Sequence, residues 1–167
     1  MKNENFGFAC LHYSVSEASK SIKINVINKK KIAGSVRVRT IDQEAYAGQD
    51  FELVDTVLNF KQGEAVSFIT VIINDDDNWE PDEDFWVQLY EPSDPSSVPI
   101  ENAVPLIGAD TKTIVTIIDD DKPGSLAFED SKPIKAVASS GVAEVNIIRK
   151  NGSDGIVKVD WETIQLD

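Results

Sequence analysis

Two runs of three consecutive aspartates are the residues of this chain that point most directly to chemistry. The first run, at positions 75–77, follows an apolar stretch that ends at Ile73, and the second, at positions 119–121, follows one that ends at Ile118. Carboxylates about 4 Å apart repel one another by about 4 kcal/mol per pair at an effective dielectric constant near 20, and by less where water screens them. A multivalent cation bound at these positions would offset that repulsion.

Calcium is the cation that suits these ligands. It takes six to eight oxygen ligands without strict geometry, whereas magnesium keeps more of its water and needs fewer protein oxygens. Cys10 is the single cysteine and His12 the single histidine, so a transition-metal site lacks its usual ligands. Neither run has the glycine and closing glutamate of an EF-hand loop, so distant loops would have to assemble the site. The alternative interpretation of each run is a solvated turn.

The overall charge also favours a cation as the partner. The chain has 29 acidic and 16 basic residues, for a formal net charge of −13. Nucleic acids and anionic membranes are bound through Lys and Arg, so this balance argues against both. No apolar run approaches the roughly 20 residues of a membrane helix, and we expect no membrane insertion of this segment. The clustered acids also argue against an enzyme, because a general acid needs an apolar pocket that raises its pKa.

The hydrophobic pattern predicts an all-β fold. Apolar and polar residues alternate with the period of a half-buried strand over residues 22–26, 36–39 and 85–90, and residues 113–118 form a further strand pattern. Residues 65–73 are apolar on both faces and rich in β-branched side chains, which predicts a central strand. Short strands at this spacing are typical of an antiparallel β-sandwich. Cys10 lies in the opening strand pattern, where we expect it to be buried or half-buried.

Two interruptions divide the chain. Residues 92–111 contain four prolines and predict a long hairpin loop, which could serve partner contact or regulation or be a tolerated insertion. At Lys122-Pro123-Gly124 the strand pattern ends and then begins again: Leu126-Ala127-Phe128 repeats Phe6-Gly7-Phe8, with a period of about 120 residues. The repeat predicts a complete module at residues 1–121, a linker at 122–125 and a truncated second copy at 126–167 with about three strands. The last of these strands is expected at residues 156–159, which repeat the pattern of residues 35–38. Such a fragment would lean on the first module, pair with another chain, or reflect truncation.

Five motifs in a fixed order carry a resemblance to a known family. They are Val15-Ser16-Glu17, Ala47-Gly48-Gln49-Asp50-Phe51, Phe60-Lys61-Gln62-Gly63-Glu64, the run from Ile72 through Asp75-Asp76-Asp77-Asn78-Trp79-Glu80 to Phe85, and Ile117-Ile118-Asp119-Asp120-Asp121. Together they resemble the Calx-β domain, over residues 6–121 and into a second copy. Within the family the chain most resembles the first of the two cytosolic calcium-binding domains of sodium/calcium exchangers.

The resemblance implies a fold and a set of ligands. The fold is a seven-stranded immunoglobulin-like sandwich, followed here by a partial second sandwich, with several calcium ions in the loops at one end. Asn78 would contribute its main-chain carbonyl and the other ligands a carboxylate. The implied ligands are Glu17, Asp50, Asp75, Asp76, Asp77, Asn78, Glu80, Glu83, Asp119, Asp120 and Asp121.

The resemblance implies a regulatory role for calcium. Without the ion the clustered carboxylates repel and the loops are expected to be disordered or partly protonated. With the ions bound the loops would order and stiffen the junction to the adjacent second Calx-β domain. The leading hypothesis is a calcium-sensor module in the cytosolic loop of a sodium/calcium exchanger. The alternative is an extracellular adhesion or matrix module, in which calcium is a permanent stiffener bound at millimolar concentration.

Overall fold

A computed structural model describes residues 5–165 of the chain. These residues divide into two units: the first contains the residues up to 76 together with 81–119, and the second contains 77–80 and the residues from 120 onward. The helical segments of the described residues are single 3₁₀ turns, and no helix among them is long and apolar enough to cross a membrane.

The first unit is a sandwich of two β-sheets. One sheet has three strands in the order β1-β3-β6, and the other has five in the order β2-β8-β7-β4-β5. The all-β immunoglobulin-like sandwich is therefore confirmed. Its strands are β1 Phe6–Phe8, β2 His12–Ser16, β3 Ser21–Asn28, β4 Gly34–Ile41, β5 Asp55–Phe60, β6 Val66–Ile72, β7 Glu83–Tyr90 and β8 Lys112–Ile118.

The opening strand is split between the two sheets. Strand β1 pairs with β3 in antiparallel fashion, whereas β2 pairs with β8 in parallel. This is the one parallel pairing among the strands of residues 5–165, and it raises the number of strands in the unit from the expected seven to eight. The segment crosses from one sheet to the other between Phe8 and His12, where Cys10 is exposed. The expectation that Cys10 is buried was wrong, because the residue lies in the crossover and in neither strand.

The core lies between the inward faces of the two sheets. Its largest apolar contributors are completely buried, at 0% exposure, and they recur at every second position as the alternating pattern predicts. They include Ile24 and Val26 on β3, Val36 and Val38 on β4, and Phe85 on β7. Burial of each such side chain is worth about 1.5–3 kcal/mol, so this layer supplies most of the stabilisation that positions the loops.

Strand β6 is an edge strand, which corrects the prediction of a central one. It pairs with β3 on one side, and no strand of the described residues pairs with its other side. Val66, Phe68 and Ile72 are 48%, 48% and 47% exposed on its outward face. An apolar run on both faces indicates what packs above and below a strand, but it does not indicate how many neighbouring strands pair with it. The pattern therefore gave the wrong prediction.

The loop between β7 and β8 is held by a buried arginine. Arg37 Nη1 donates hydrogen bonds to Ser93 Oγ at 3.0 Å and to the carbonyl of Val98 at 2.8 Å. The loop contains one 3₁₀ turn, Ile100–Asn102, and an isolated bridge between Tyr90 and Pro105, so the prediction of a long loop in place of a strand pair is confirmed.

The second unit contains an antiparallel pair of strands, β9 Ser125–Phe128 and β10 Ile147–Lys150, and a 3₁₀ turn at Ala138–Ser140. The third strand expected at residues 156–159 is not formed. Apolar side chains of this unit stay exposed: Phe128 at 66%, Ile156 at 89% and Trp161 at 79%. Two short strands offer no facing sheet against which these side chains could be buried, which is the physical reason that the third strand is missing.

Candidate metal centre

Asp50 is held by a tight turn between β4 and β5. The turn requires a positive backbone φ at Gly48, +86°, a conformation that glycine adopts at no steric cost. The N–H of Asp50 donates to the carbonyl of Tyr46 at 2.9 Å, and the N–H of Tyr46 donates to Asp50 Oδ2 at 2.6 Å. Asp50 is only 9% exposed. One carboxylate oxygen of Asp50 is thus fixed by the turn, which sets the direction of the other.

A pair of stacked aromatic rings brings Asp50 next to Glu83. Phe51 follows Asp50, and Phe85 lies two residues after Glu83 on β7; both rings are fully buried and stack with centroids 4.1 Å apart. Carboxylate oxygens of Asp50 and Glu83 lie within 4.8 Å of each other. The core therefore positions two predicted ligands that are 33 residues apart in sequence.

A second carboxylate pair, Glu17 and Asp119, follows from the parallel pairing of β2 with β8. In that register Ser16 lies opposite Ile118, so the residues that follow them, Glu17 and Asp119, leave the sheet at the same end. Carboxylate oxygens of Glu17 and Asp119 lie within 4.8 Å of each other, and both residues are half-buried. Glu83 pairs with Ile117 on the other side of β8, so both carboxylate pairs lie at one end of the five-stranded sheet.

The loop after β6 is tied to the turn that carries Asp50. The N–H of Asn74 donates to the carbonyl of Asp50 at 2.9 Å, and Asn74 Nδ2 donates to the carbonyl of Gln49 at 2.7 Å. Asp75 and Asp76 follow directly and are exposed. They belong to neither of the two carboxylate pairs, although Asn74 anchors the start of their loop.

The remaining sequence-predicted ligands lie in the second unit. Asp77, Asn78 and Asp120 are exposed there, and Glu80 and Asp121 are half-buried. Of the eleven predicted ligands, the first unit therefore contains Glu17, Asp50, Asp75, Asp76, Glu83 and Asp119.

Two further acids support the centre and were not singled out from the sequence. Asp82 Oδ1 accepts a hydrogen bond of 3.3 Å from the backbone N–H of Asp119. Thr116 Oγ1 donates to Asp84 Oδ1 at 2.6 Å, which ties β8 to β7 at the residue next to Glu83. The signal that could have found them is the run of three acids Asp82, Glu83 and Asp84. Side chains alternate between the two sides of a strand, so Asp82 and Asp84 point to the side opposite Glu83.

The donor set fits a hard divalent cation. Two oxygens bound to one Ca²⁺ at 2.3–2.6 Å can be at most about 5 Å apart. The carboxylate oxygens of each pair lie within 4.8 Å of each other and so satisfy this limit. All the side-chain donors are oxygens, as calcium prefers. Carboxylates from four separate segments can therefore each share an ion with a partner, without the continuous loop of an EF-hand.

Comparison with known proteins gives consistent results. The family model for the Calx-beta domain matches residues 2–121 and again residues 119–166. Sodium/calcium exchanger 1 of Rattus norvegicus is 35% identical over 139 residues, which cover 78% of this chain and 14% of the exchanger. The sodium/calcium exchanger Calx of Drosophila melanogaster is 33% identical over 154 residues, 91% of this chain and 15% of the exchanger. The chain thus spans about one seventh of the length of these relatives.

Solved structures of Calx domains are similar to this fold. The apo form of the Calx CBD1 domain is 30% identical, with a TM-score of 0.58 over 70% of this chain and 96% of that one. The calcium-binding domain CBD12 of CALX1.1 is also 30% identical, with a TM-score of 0.60 over 75% of this chain and 49% of that one. The Calx CBD2 domain, 18% identical with a TM-score of 0.56, shares the fold.

Proposed function

Because the chain belongs to the Calx-beta domain family, we propose that it is a non-enzymatic module that binds several Ca²⁺ ions and reports calcium concentration to a sodium/calcium exchanger. The observation that carries the proposal is the convergence of Asp50 with Glu83 and of Glu17 with Asp119 at one end of the five-stranded sheet. These four carboxylates come from four segments, and a cation compensates the repulsion within each pair.

The proposed ligand set is wider than these four. The family resemblance supports carboxylate ligation by the other acids of the two runs and their neighbours, and a main-chain oxygen from Asn78. Four carboxylates are too few for several ions that each take six to eight oxygens, which favours the larger set. The additional proposed ligands are Asp75, Asp76, Asp77, Asn78, Glu80, Asp120 and Asp121.

The proposed mechanism is ordering of the acidic loops by calcium. Bound ions remove the repulsion, and the loops after β6 and β8 become fixed to the sheet ends. The chain continues from Asp119–Asp121 into Lys122-Pro123-Gly124. Ion binding at the end of β8 would therefore restrict the segment that leads into the second Calx-beta copy, which we propose is the adjacent partner domain at residues 126–167.

We place the module in the cytosolic loop of an exchanger, on the strength of its similarity to the two exchangers described above. The alternative is an extracellular adhesion or matrix module, in which the same acids would bind calcium as a stiffener. The two functions predict different affinities: micromolar or tighter for a sensor, and millimolar for an extracellular module.

The test is a calcium titration of the full chain by calorimetry, at physiological salt and with magnesium present as a competitor. Several sites of micromolar or tighter affinity are expected. Binding only at millimolar calcium would favour the extracellular alternative. A titration without heat or saturation would overturn the proposal and leave the aspartate runs as solvated turns.

A further inference from the structure

The outward edge of β6 combines unused main-chain groups with apolar side chains. Alternate residues of a strand direct their N–H and C=O groups to opposite sides. The carbonyl of Ala65 accepts from Asn28 and the N–H of Ile73 donates to Lys20, so odd-numbered residues face β3. Val66, Phe68 and Thr70 therefore direct their main-chain groups away from β3, toward a side where no strand of residues 5–165 pairs with β6.

Val66 and Phe68, together with Ile72 farther along β6, form an apolar stripe on the sheet face. Val66 and Phe68 are each 48% exposed, and Ile72 is 47% exposed. Lys23 Nζ lies 3.6 Å from the centre of the Phe68 ring and covers part of it from β3. The segment 65–73 contains no charged residue and no proline. Edge strands are usually protected from pairing by a lysine, a proline or a bulge, and this edge has none of these in its sequence.

We propose that this edge is the interface between two copies of the chain, in which β6 pairs antiparallel with β6 of the second copy across a twofold axis. The three-stranded sheets of the two copies then form one continuous sheet of six strands. This surface is separate from the carboxylate pairs, which lie at the ends of β2, β7 and β8 and in the turn before β5.

The occupant follows from the self-complementarity of the strand. A twofold axis at Phe68 places Phe68 opposite the second copy's Phe68 and Val66 opposite the second copy's Thr70. This register pairs all the main-chain groups of Val66, Phe68 and Thr70. Shifting it by two residues toward Ile72 would lose bonds, because the carbonyl of Ile72 already accepts from Glu52 at 2.9 Å. The net charge of −13 disfavours association of copies elsewhere, but the contact strand itself contributes no like charge.

Disulfide trapping on the full chain tests both the interface and its register. In a Cys10→Ser background, Phe68→Cys introduces one cysteine at position 68 of each copy. In the proposed register the Cα atoms of these two cysteines are about 5.5 Å apart, within the range that a disulfide spans. Val66→Cys is the matched control, since residue 66 would lie about 14 Å from its equivalent along the strand. Both sites are equally exposed, at 48%, so their intrinsic thiol access is matched.

We expect the folded Phe68→Cys chain to form a disulfide-linked dimer about tenfold faster than the Val66→Cys chain under mild oxidation. The Val66→Cys/Thr70→Cys double variant should regain the faster rate, because this register pairs those two positions. In urea the Phe68→Cys and Val66→Cys chains, which have one thiol each, should form the dimer at equal rates. Equal rates in the folded state, or faster linkage of Val66→Cys alone, would overturn the proposed pairing.

A second measurement does not depend on thiols. Sedimentation of the full chain at about 0.5 mM should show dimer that Phe68→Glu removes, while Val104→Glu leaves it unchanged. Val104 is 52% exposed in the loop between β7 and β8 and serves as a matched control for added charge on an apolar site. A chain that stays monomeric at this concentration, or a dimer that Phe68→Glu leaves intact, would contradict the proposal.

Discussion

Glu17 and Asp119 have carboxylate oxygens within 4.8 Å of each other although 102 positions separate them in the chain. Each follows the last residue of a strand, and those last residues, Ser16 and Ile118, lie opposite each other in a parallel pair. The C-terminal ends of neighbouring parallel strands lie at the same end of a sheet, so the fold brings the two acids together without any sequence motif linking them. This pair is the most direct structural support for a divalent cation site at the end of β8.

Replacement of Asp119 by Asn should weaken calcium binding by about tenfold or more, which corresponds to about 1.4 kcal/mol, because one charged ligand of a shared ion is lost. Adding Asp120→Asn should abolish most of the binding. Both variants should keep the fold, since these residues are outside the core. Calorimetric titration measures the affinity, and Glu101→Gln, which removes a charge in the 3₁₀ turn Ile100–Asn102, is the control. Equal affinities of Asp119→Asn and Glu101→Gln would rule out Asp119 as a ligand.

Calcium should raise the thermal stability of the chain. A ligand that binds the folded state alone at 100 times its Kd adds about 2.7 kcal/mol to the free energy of unfolding. Calorimetric melting with calcium, with magnesium and with a chelator measures this contribution. The midpoint should rise with calcium, return to its starting value with chelator and respond less to magnesium. A shift of the same size with magnesium would indicate general charge screening and not a calcium site.

Phe51→Leu should lower both calcium affinity and stability. The ring of Phe51 stacks on Phe85 with centroids 4.1 Å apart, and this contact positions Asp50 against Glu83. We expect a loss of about 1–2 kcal/mol in stability for this change of shape in a packed core, together with weaker calcium binding.

Phe60→Leu is the matched control for this variant. Phe60 is 4% exposed and packs against Phe6, with ring centroids 5.3 Å apart, at the other end of β5 from the carboxylate pairs. It should lower stability while leaving calcium affinity unchanged. Affinity losses of equal size in the two variants would mean that calcium binding follows global stability and not the position of Asp50.

Asp55→Asn should lower stability at neutral pH and have little effect in strong acid. Arg37 donates to both carboxylate oxygens of Asp55, each at 2.7 Å, and the Arg37 side chain is only 1% exposed. Burial acts to raise the pKa of Asp55, but the hydrogen bonds from Arg37 and Arg39 outweigh it and hold that pKa below its ordinary value of 3.8. Removal of one partner of a buried pair costs about 3 kcal/mol.

The sign of the pH dependence follows from that lowered pKa. The stabilisation by Asp55 is complete above the pKa of the unfolded state, near 3.8, and is lost as the pH falls through the lower pKa of the folded state. Urea unfolding of the original chain and of the Asp55→Asn chain, at pH 7 and at successively lower pH, measures the difference in their free energies of unfolding. The difference should shrink as Asp55 becomes protonated, and a gap that stays constant below that range would contradict an ionic origin.

The sequence by itself determined five strands of the first unit, β3, β4, β6, β7 and β8, and which acids bear the charge. Alternation along β3, β4 and β7 predicts their inward faces, since side chains of a strand alternate between core and solvent whatever its neighbours are. The aspartate runs, the long proline-containing loop and the family motifs are equally local signals. Each depends on residues close together in the chain, and each could therefore be obtained without coordinates.

Only the tertiary structure decided which strands are neighbours. The parallel pairing of β2 with β8, which brings Glu17 to Asp119, and the edge position of β6 both depend on contacts between residues far apart in sequence. Apolar residues at positions 65–73 were compatible with a central or an edge strand, because burial above and below a sheet is independent of pairing at its sides. In the second unit the expected strand at residues 156–159 did not form, because a strand is stable only where another strand or a facing sheet receives it.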